Sequence, residues 1–68
     1  MPYVNIKVTD EGVTREQKAK LIKGVTDLLV DVLNKDPKTT HIVIDEVPLE
    51  NWGFDAIPTD VHRAKQSA

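Results

Sequence analysis

Aliphatic residues occupy every second position of the segment Tyr-Val-Asn-Ile-Lys-Val, residues 3–8. In an extended chain the three aliphatic side chains fall on one face, and their neighbours fall on the other. This period of two is typical of a β-strand with one face against a core. We therefore predict a first strand over 3–8, followed by a loop over 9–13.

The apolar spacing changes to that of a helix after Thr14. Thr14 and Gln17 form the Thr-x-x-Gln pattern of a capping box, which marks a helix start. One apolar row follows, with a second row beside it: Leu21, Val25, Leu28 and Val32, then Ile22, Leu29 and Leu33. Because the residue before a proline avoids helical geometry, Pro37 limits the helix. We predict a helix from Arg15 to Asn34.

A second strand is predicted over residues 40–47, Thr-His-Ile-Val-Ile-Asp-Glu-Val. Strand, helix and strand in this order form a β-α-β unit, whose two strands are parallel and whose crossover is right-handed. Residues 48–53 form a turn that carries Trp52, the only tryptophan. The pattern weakens beyond it, so we interpret 54–68 as a short C-terminal arm that frays from Ala64 to Ala68.

The predicted fold class is α/β, with a single β-α-β unit that is too small to enclose a core alone. We expect a single domain over 1–68, with a core over 2–53. A chain of 68 residues usually needs disulfides, metal or partner subunits, and there is no cysteine. Two copies paired edge to edge would give four strands under two helices. The remaining bare face predicts further assembly of such dimers into a ring.

Composition excludes several classes of function. The net charge is −2 with both signs interspersed, and aromatic residues are few, so nucleic acid is not an expected partner. No apolar run approaches the ~18 residues of a membrane span, and the N-terminus lacks the apolar stretch expected of a signal peptide. We predict a cytoplasmic protein. His41 and His62 are far apart in sequence, and neither a metal site nor a cofactor is expected.

The chemistry centres on Pro2, which follows Met1 directly. Proline at this position normally permits removal of the initiator methionine, which would leave Pro2 as a free secondary amine. An α-amino group titrates near pH ~8, and apolar surroundings or a nearby cation lower that pKa. A base with a pKa near neutrality is well matched to proton transfer. Pro2 is therefore the candidate catalytic residue.

The chain resembles the 4-oxalocrotonate tautomerase family. The resemblance covers nearly all of 1–53, in four pieces: Met1-Pro2 before the first strand, residues 14–18 with Leu21-Ile22, Val43–Val47, and Asn51-Trp52-Gly53. It implies a β-α-β protomer assembled as a homohexamer, a trimer of dimers, with the N-terminal proline as catalytic base. Such enzymes need no cofactor and move a proton between carbon and oxygen of an unsaturated 2-oxo acid.

The resemblance also assigns substrate contacts, from which this sequence departs. Family members carry one arginine in the loop before the helix and another early in the second strand. Those positions correspond here to Val13 and His41. Trp52 matches the aromatic wall of the site, and Arg15 is a candidate cation at the helix start. We therefore expect His41, Trp52 and Arg15 to bind substrate, and a monoacid or neutral carbonyl compound to suit the site better than a dicarboxylate.

Three functions remain open from the sequence. The first is a cofactor-free keto–enol tautomerase with Pro2 as general base. In the second, a protonated Pro2 acts as general acid in hydration, dehalogenation or decarboxylation. In the third, the chain is a non-catalytic oligomeric binding protein that retains only the scaffold.

Overall fold

The computed structural model describes residues 1–67 and places in them the β-α-β unit predicted above. Strand β1 spans Tyr3–Thr9, helix α1 spans Arg15–Leu33, and strand β2 spans His41–Val47. A short 3₁₀ turn, Pro37–Thr39, precedes β2, and a second, Leu49–Asn51, follows it. The chain then forms a hairpin of strands β3, Gly53–Phe54, and β4, Ile57–Pro58, and ends in helix α2, Thr59–Ser67.

Strands β1 and β2 are parallel and pair in step from Tyr3 opposite His41 to Thr9 opposite Val47. The predicted fold class and the parallel crossover are thus confirmed. The predicted bounds of both strands differ from the observed ones by one residue. A hydrogen bond from the His41 N–H to the Pro2 carbonyl oxygen, 3.0 Å, extends the ladder to the residue before β1.

Both ends of α1 follow from its sequence. The Thr14 hydroxyl accepts from the Gln17 N–H at 3.1 Å, and the Gln17 amide oxygen accepts from the Thr14 N–H at 2.9 Å. This is the predicted capping box. At the other end Asn34 adopts a left-handed conformation, φ 54°, and its N–H bonds back to the last turn. Asparagine tolerates this conformation better than most residues, so the helix ends at Leu33.

Helix α1 covers the sheet face that carries Val4, Ile6 and Val8. Lys18 in the first turn of the helix forms an ion pair with Glu46 of β2 on this face, although its spacing alone indicates a solvated residue. The opposite face of the sheet carries Tyr3 and Val43, both exposed. One face of the two-stranded sheet is therefore bare.

The predicted apolar stripe of α1 is wider than one chain can cover. Val25 and Leu29 are half-buried against the sheet, but Leu28 is 58% exposed and Val32 is 67% exposed. Across residues 1–65, where burial is described, no hydrophobic side chain is fully buried. The chain is also elongated, 48 by 24 by 15 Å. Most of its apolar surface is thus available to another molecule.

The C-terminal segment is more regular than its sequence predicts. The turn between β3 and β4 consists of Asp55 and Ala56, with φ 55° and 66°. A two-residue turn with positive φ at both central residues usually has asparagine, aspartate or glycine first and glycine second, and Ala56 in the second place removes that hairpin signal. The predicted fraying from Ala64 is wrong as far as Ser67, because α2 continues to that residue. Ala68, also in that prediction, lies outside the described residues.

Acidification is expected to destabilise the fold as the pH falls below about 4, the ordinary range of carboxyl pKa values. Hydrogen bonds from Asn5 and then Lys7 hold the pKa of Asp45 below its ordinary value, and the Lys18 ammonium does the same for the pKa of Glu46. Folding therefore favours the ionised forms. Their stabilisation is complete above the unfolded-state pKa and is lost as the pH falls through the lower folded-state pKa.

Melting temperatures between pH 7 and pH 3 measure this effect. The variants Asp45→Asn and Glu46→Gln should show a flatter decline than the wild type, while Asp31→Asn, on the exposed side of α1, should follow the wild type. A decline that is equally steep in all four proteins would contradict the assignment.

Candidate active site

Pro2 and His41 lie together at the edge of the sheet where both strands begin. Pro2 is half-buried, whereas Met1 before it is 88% exposed. The backbone bond between His41 N and Pro2 O fixes the Pro2 carbonyl group, and so orients the ring beside the start of β2. The structure thus holds the candidate base in place while the residue in front of it protrudes.

The His41 imidazole is exposed and anchored at one nitrogen. Its Nδ1 lies 3.1 Å from the Thr39 carbonyl oxygen. Because a carbonyl oxygen only accepts, Nδ1 carries the proton in this contact. The contact leaves Nε2 directed away from the Thr39 backbone, as an acceptor when the ring is neutral and a donor when it is protonated. His41 can therefore form a hydrogen bond at the start of β2, where a family arginine would offer a permanent charge.

Trp52 and Arg15, the other two predicted site residues, lie at the opposite end of the unit. Arg15 begins α1, which starts just after β1 ends, and it is exposed. Trp52 lies near Lys7, Val8 and Thr9, the last residues of β1. A seven-residue strand is roughly 20 Å long at 3.3 Å per residue. Within one chain, therefore, the structure does not bring Pro2 into contact with Trp52.

A groove runs between the end of β1 and the C-terminal arm, and we call it the arm groove. It is lined by Lys7, Val8, Thr9, Trp52, Phe54, Thr59 and Arg63. Two cationic side chains here share a surface with two aromatic ones. Arg63 and Phe54 were not predicted, because the arm carried no recognisable periodicity. Thr59, His62 and Arg63 are nevertheless spaced as i, i+3 and i+4, which places them on one face of α2.

Thr59 holds the aromatic part of the arm groove in place. It is only 3% exposed, and both its N–H, at 2.8 Å, and its hydroxyl group donate to the Trp52 carbonyl oxygen. On the next turn of α2, the His62 ring lies 4.3 Å from the Phe54 ring, measured between centroids. Helix α2 therefore fixes both the backbone of Trp52 and the ring of Phe54.

Each cation of the arm groove has a carboxylate beside it. Lys7 Nζ donates to Asp45 Oδ2 at 3.0 Å. Arg63 Nη2 donates to Glu11 Oε2 at 3.1 Å, and its Nη1 pairs with Glu11 Oε1. The Glu11 carboxylate also accepts a hydrogen bond from the Thr9 hydroxyl. The loop between β1 and α1 is thereby tied to α2.

The described residues 1–67 contain no group of three histidine, cysteine or acidic side chains placed to hold a metal ion. Nor does this part of the chain contain a helix both long and apolar enough to cross a membrane. The functional groups at hand are an imidazole, a guanidinium group and aromatic walls, beside a proline whose nitrogen becomes an amine only when Met1 is removed.

Comparison with known proteins places this arrangement in a family. The model of the family described as tautomerase enzyme matches residues 2–60. The probable tautomerase K2 of Dickeya dadantii is 62% identical over 54 residues, which cover 79% of this chain and 81% of that protein. The crystal structure of DmpI from Helicobacter pylori superposes with a TM-score of 0.84 at 43% identity, covering 93% of this chain and 97% of that one.

A third relative is the 2-hydroxymuconate tautomerase of Comamonas testosteroni. It is 35% identical over 57 residues, which cover 84% of this chain and 89% of that protein. The chain belongs to the tautomerase family, and the resemblance predicted from residues 1–53 is confirmed. It is accordingly an isomerase, which removes the non-catalytic binding protein from the three alternatives.

Proposed function

We propose that this chain is a cofactor-free keto–enol tautomerase acting on a small unsaturated 2-oxo acid, with the nitrogen of Pro2 as general base. The observation that carries the proposal is the position of Pro2. It is half-buried and bonded to β2 through its carbonyl oxygen, while Met1 is exposed to an aminopeptidase. Loss of Met1 converts an amide nitrogen into a secondary amine without changing the strand that holds it.

The reaction needs one base that serves two atoms of the substrate. The Pro2 nitrogen accepts the proton of the enol hydroxyl, and the electron pair of that O–H bond forms the carbonyl as the conjugated double bond shifts. The resulting ammonium then donates the same proton to a carbon atom of the substrate, which completes the ketone. Negative charge develops on oxygen in between, and a cation stabilises it. His41 Nε2 can donate to this oxygen only in the protonated form of the ring, because Nδ1 carries the single proton of the neutral ring.

The substrate class follows from the cations present. The family relative in Comamonas testosteroni is a 2-hydroxymuconate tautomerase, and 2-hydroxymuconate carries two carboxylates. Here Val13 is apolar and His41 lacks a permanent charge, so two carboxylates would meet less positive charge at these positions. We therefore propose a monocarboxylate, such as the enol of an aryl 2-oxo acid, rather than a dicarboxylate.

We also propose that the active form is a homohexamer built from three dimers. The support is the apolar surface that one chain leaves uncovered: the bare sheet face with Tyr3 and Val43, and the exposed row of α1 with Leu28 and Val32. A small chain without a fully buried hydrophobic side chain in its described part gains its stability from partner copies.

Such a dimer would complete the active site. When two copies pair their sheet edges in antiparallel fashion, the start of β1 in one copy approaches the end of β1 in the other. Pro2 and His41 of one copy then approach the arm groove and Arg15 of its partner. The roughly 20 Å that separate the two groups within a chain are thus consistent with a site shared between copies.

The pH dependence of ketonisation tests the role of Pro2. With phenylpyruvate enol as substrate, kcat/KM should rise with pH through the pKa of the amine, at or below about 8, and then reach a plateau. The sign follows because only the deprotonated amine accepts the enol proton. A profile that falls over the same range would instead favour the general-acid alternative, in which protonated Pro2 supports hydration, dehalogenation or decarboxylation.

A further inference from the structure

We infer that Arg63 is the carboxylate-binding residue of this enzyme, and that the arm groove binds an aromatic or conjugated monoacid. Arg63 lies on the C-terminal helix α2 and carries a permanent positive charge, which Val13 and His41 lack. Calling the ligand a substrate rests on the proposed function. Binding of a monoacid in the groove is a separate claim and is tested separately below.

The contact between Arg63 and Glu11 already has the form of a bound carboxylate. Two guanidinium nitrogens, Nη1 and Nη2, face the two oxygens of one carboxyl group. This parallel, two-pronged geometry is the one in which arginine recognises carboxylates with the greatest specificity. Glu11 itself does not line the arm groove, but its carboxylate engages the same guanidinium nitrogens that a ligand carboxylate in the groove would need.

Glu11 can yield the guanidinium group of Arg63 to a ligand. It lies in the loop between β1 and α1, and the side chains of both Arg63 and Glu11 are partly exposed. Ion pairs at the protein surface contribute little to stability, because water and salt screen them. A carboxylate whose remaining atoms also gain contacts in the groove can displace one that does not.

The remainder of the ligand has a defined surface to contact. Trp52 and Phe54 line the groove beside Arg63, and Thr59 and His62 hold them there. Flat aromatic walls suit a planar conjugated or aryl group. Lys7 is the second cation, but its ammonium group donates to Asp45 and lacks the planar fork of arginine. One fork and two aromatic walls together select a planar monoacid.

Substitution of Arg63 should change affinity for the acid and not for its neutral counterpart. Arg63→Gln is expected to raise KM for phenylpyruvate enol about tenfold or more, the value of a charge-assisted hydrogen bond. Its KM for the enol of the methyl ester should change less than twofold, and Arg63→Lys should recover part of the loss for the acid. Lys65→Gln, two residues further along α2 and on a different face, is the matched control and should match the wild type with both substrates.

Glu11→Gln separates binding from fold stability, because it breaks the same ion pair as Arg63→Gln. It should leave KM for the acid unchanged or lower it, since it removes a carboxylate that competes for the guanidinium group, whereas Arg63→Gln raises KM. If both variants raise KM for the acid alike, or if Arg63→Gln affects acid and ester equally, the assignment of Arg63 is wrong.

Trp52 permits a binding measurement that does not depend on catalysis, because it is the only tryptophan in the chain. Its fluorescence should change on titration with 3-phenylpropanoate. The Kd from this titration should be at least tenfold higher with 3-phenylpropanamide, or with the acid and Arg63→Gln. Binding that distinguishes acid from amide in an enzyme inactive on all enols would refute the tautomerase proposal and support the inference. Activity that depends on Pro2, together with equal binding of acid and amide, would support the tautomerase proposal and refute the inference about Arg63.

Discussion

Retention of Met1 is expected to lower kcat/KM for enol ketonisation by about 10²- to 10⁴-fold, the contribution of a positioned general base. With Met1 in place the Pro2 nitrogen is a tertiary amide, which has neither a proton nor basicity. The fold should not change, because Met1 protrudes and the bond from His41 reaches the Pro2 carbonyl oxygen, a group that removal of Met1 leaves intact. Protein made with and without an inhibitor of methionine aminopeptidase, checked by intact mass, supplies the two forms for comparison.

Pro2→Ala provides the control for the amine itself. Once processed, it presents a primary amine at the same position, and an α-amino group has a pKa of about 8. It should therefore lose less activity than the form that retains Met1, since basicity persists while the stiff ring is gone. Processed Pro2→Ala and the protein that retains Met1 should both sediment as the wild type does. Equal activity with and without Met1 would exclude Pro2 as the base.

The central β-α-β unit could be predicted from local patterns because each of its signals has a local physical cause. The alternation in residues 3–8 determines which face of β1 meets a core. The pair Thr14 and Gln17 satisfies two free N–H groups at the helix start, its own, without help from the rest of the chain. Such features depend on residues a few positions apart, so one sequence is sufficient to identify them.

The C-terminal segment could not be predicted in the same way. Asp55 and Ala56 both have positive φ, which aspartate tolerates but alanine does not favour, so local preference alone does not predict this turn. Thr59 illustrates the cause: its two hydrogen bonds to the Trp52 carbonyl oxygen join α2 to the segment before the hairpin. A residue with no particular helix preference thereby becomes the most buried position described.

The candidate site was harder to predict than the fold because its parts are dispersed. Pro2 was evident from its place after Met1, and Trp52 from the family resemblance. Neither signal shows that Pro2 and Trp52 lie at opposite ends of the β1-β2 sheet. Their separation follows only from the parallel register of the two strands. Arg63 is 52 residues from Glu11 in sequence, and no local pattern indicates a contact over that separation.

In the proposed assembly, the exposed part of the apolar row of α1 is a contact between copies. Leu28→Asp is expected to dissociate the proposed hexamer and reduce ketonisation to the uncatalysed background. Leu28 is 58% exposed in the single chain, so the substitution costs little there. At a contact between copies, burial of a leucine side chain contributes about 2 kcal/mol, and an unpaired carboxylate in its place adds a desolvation cost. Sedimentation velocity and steady-state activity on the same sample measure both effects.

Loss of assembly and loss of activity should coincide, because in the proposed site Pro2 comes from one copy and the arm groove from another. Leu28→Met, which keeps the side chain apolar and similar in volume, should retain both properties. The separated Leu28→Asp chains should also melt at lower temperature, since no hydrophobic side chain of residues 1–65 is fully buried within one chain. A Leu28→Asp protein that stays hexameric would remove this helix face from the interface, and an active monomer would show that one copy holds the whole site.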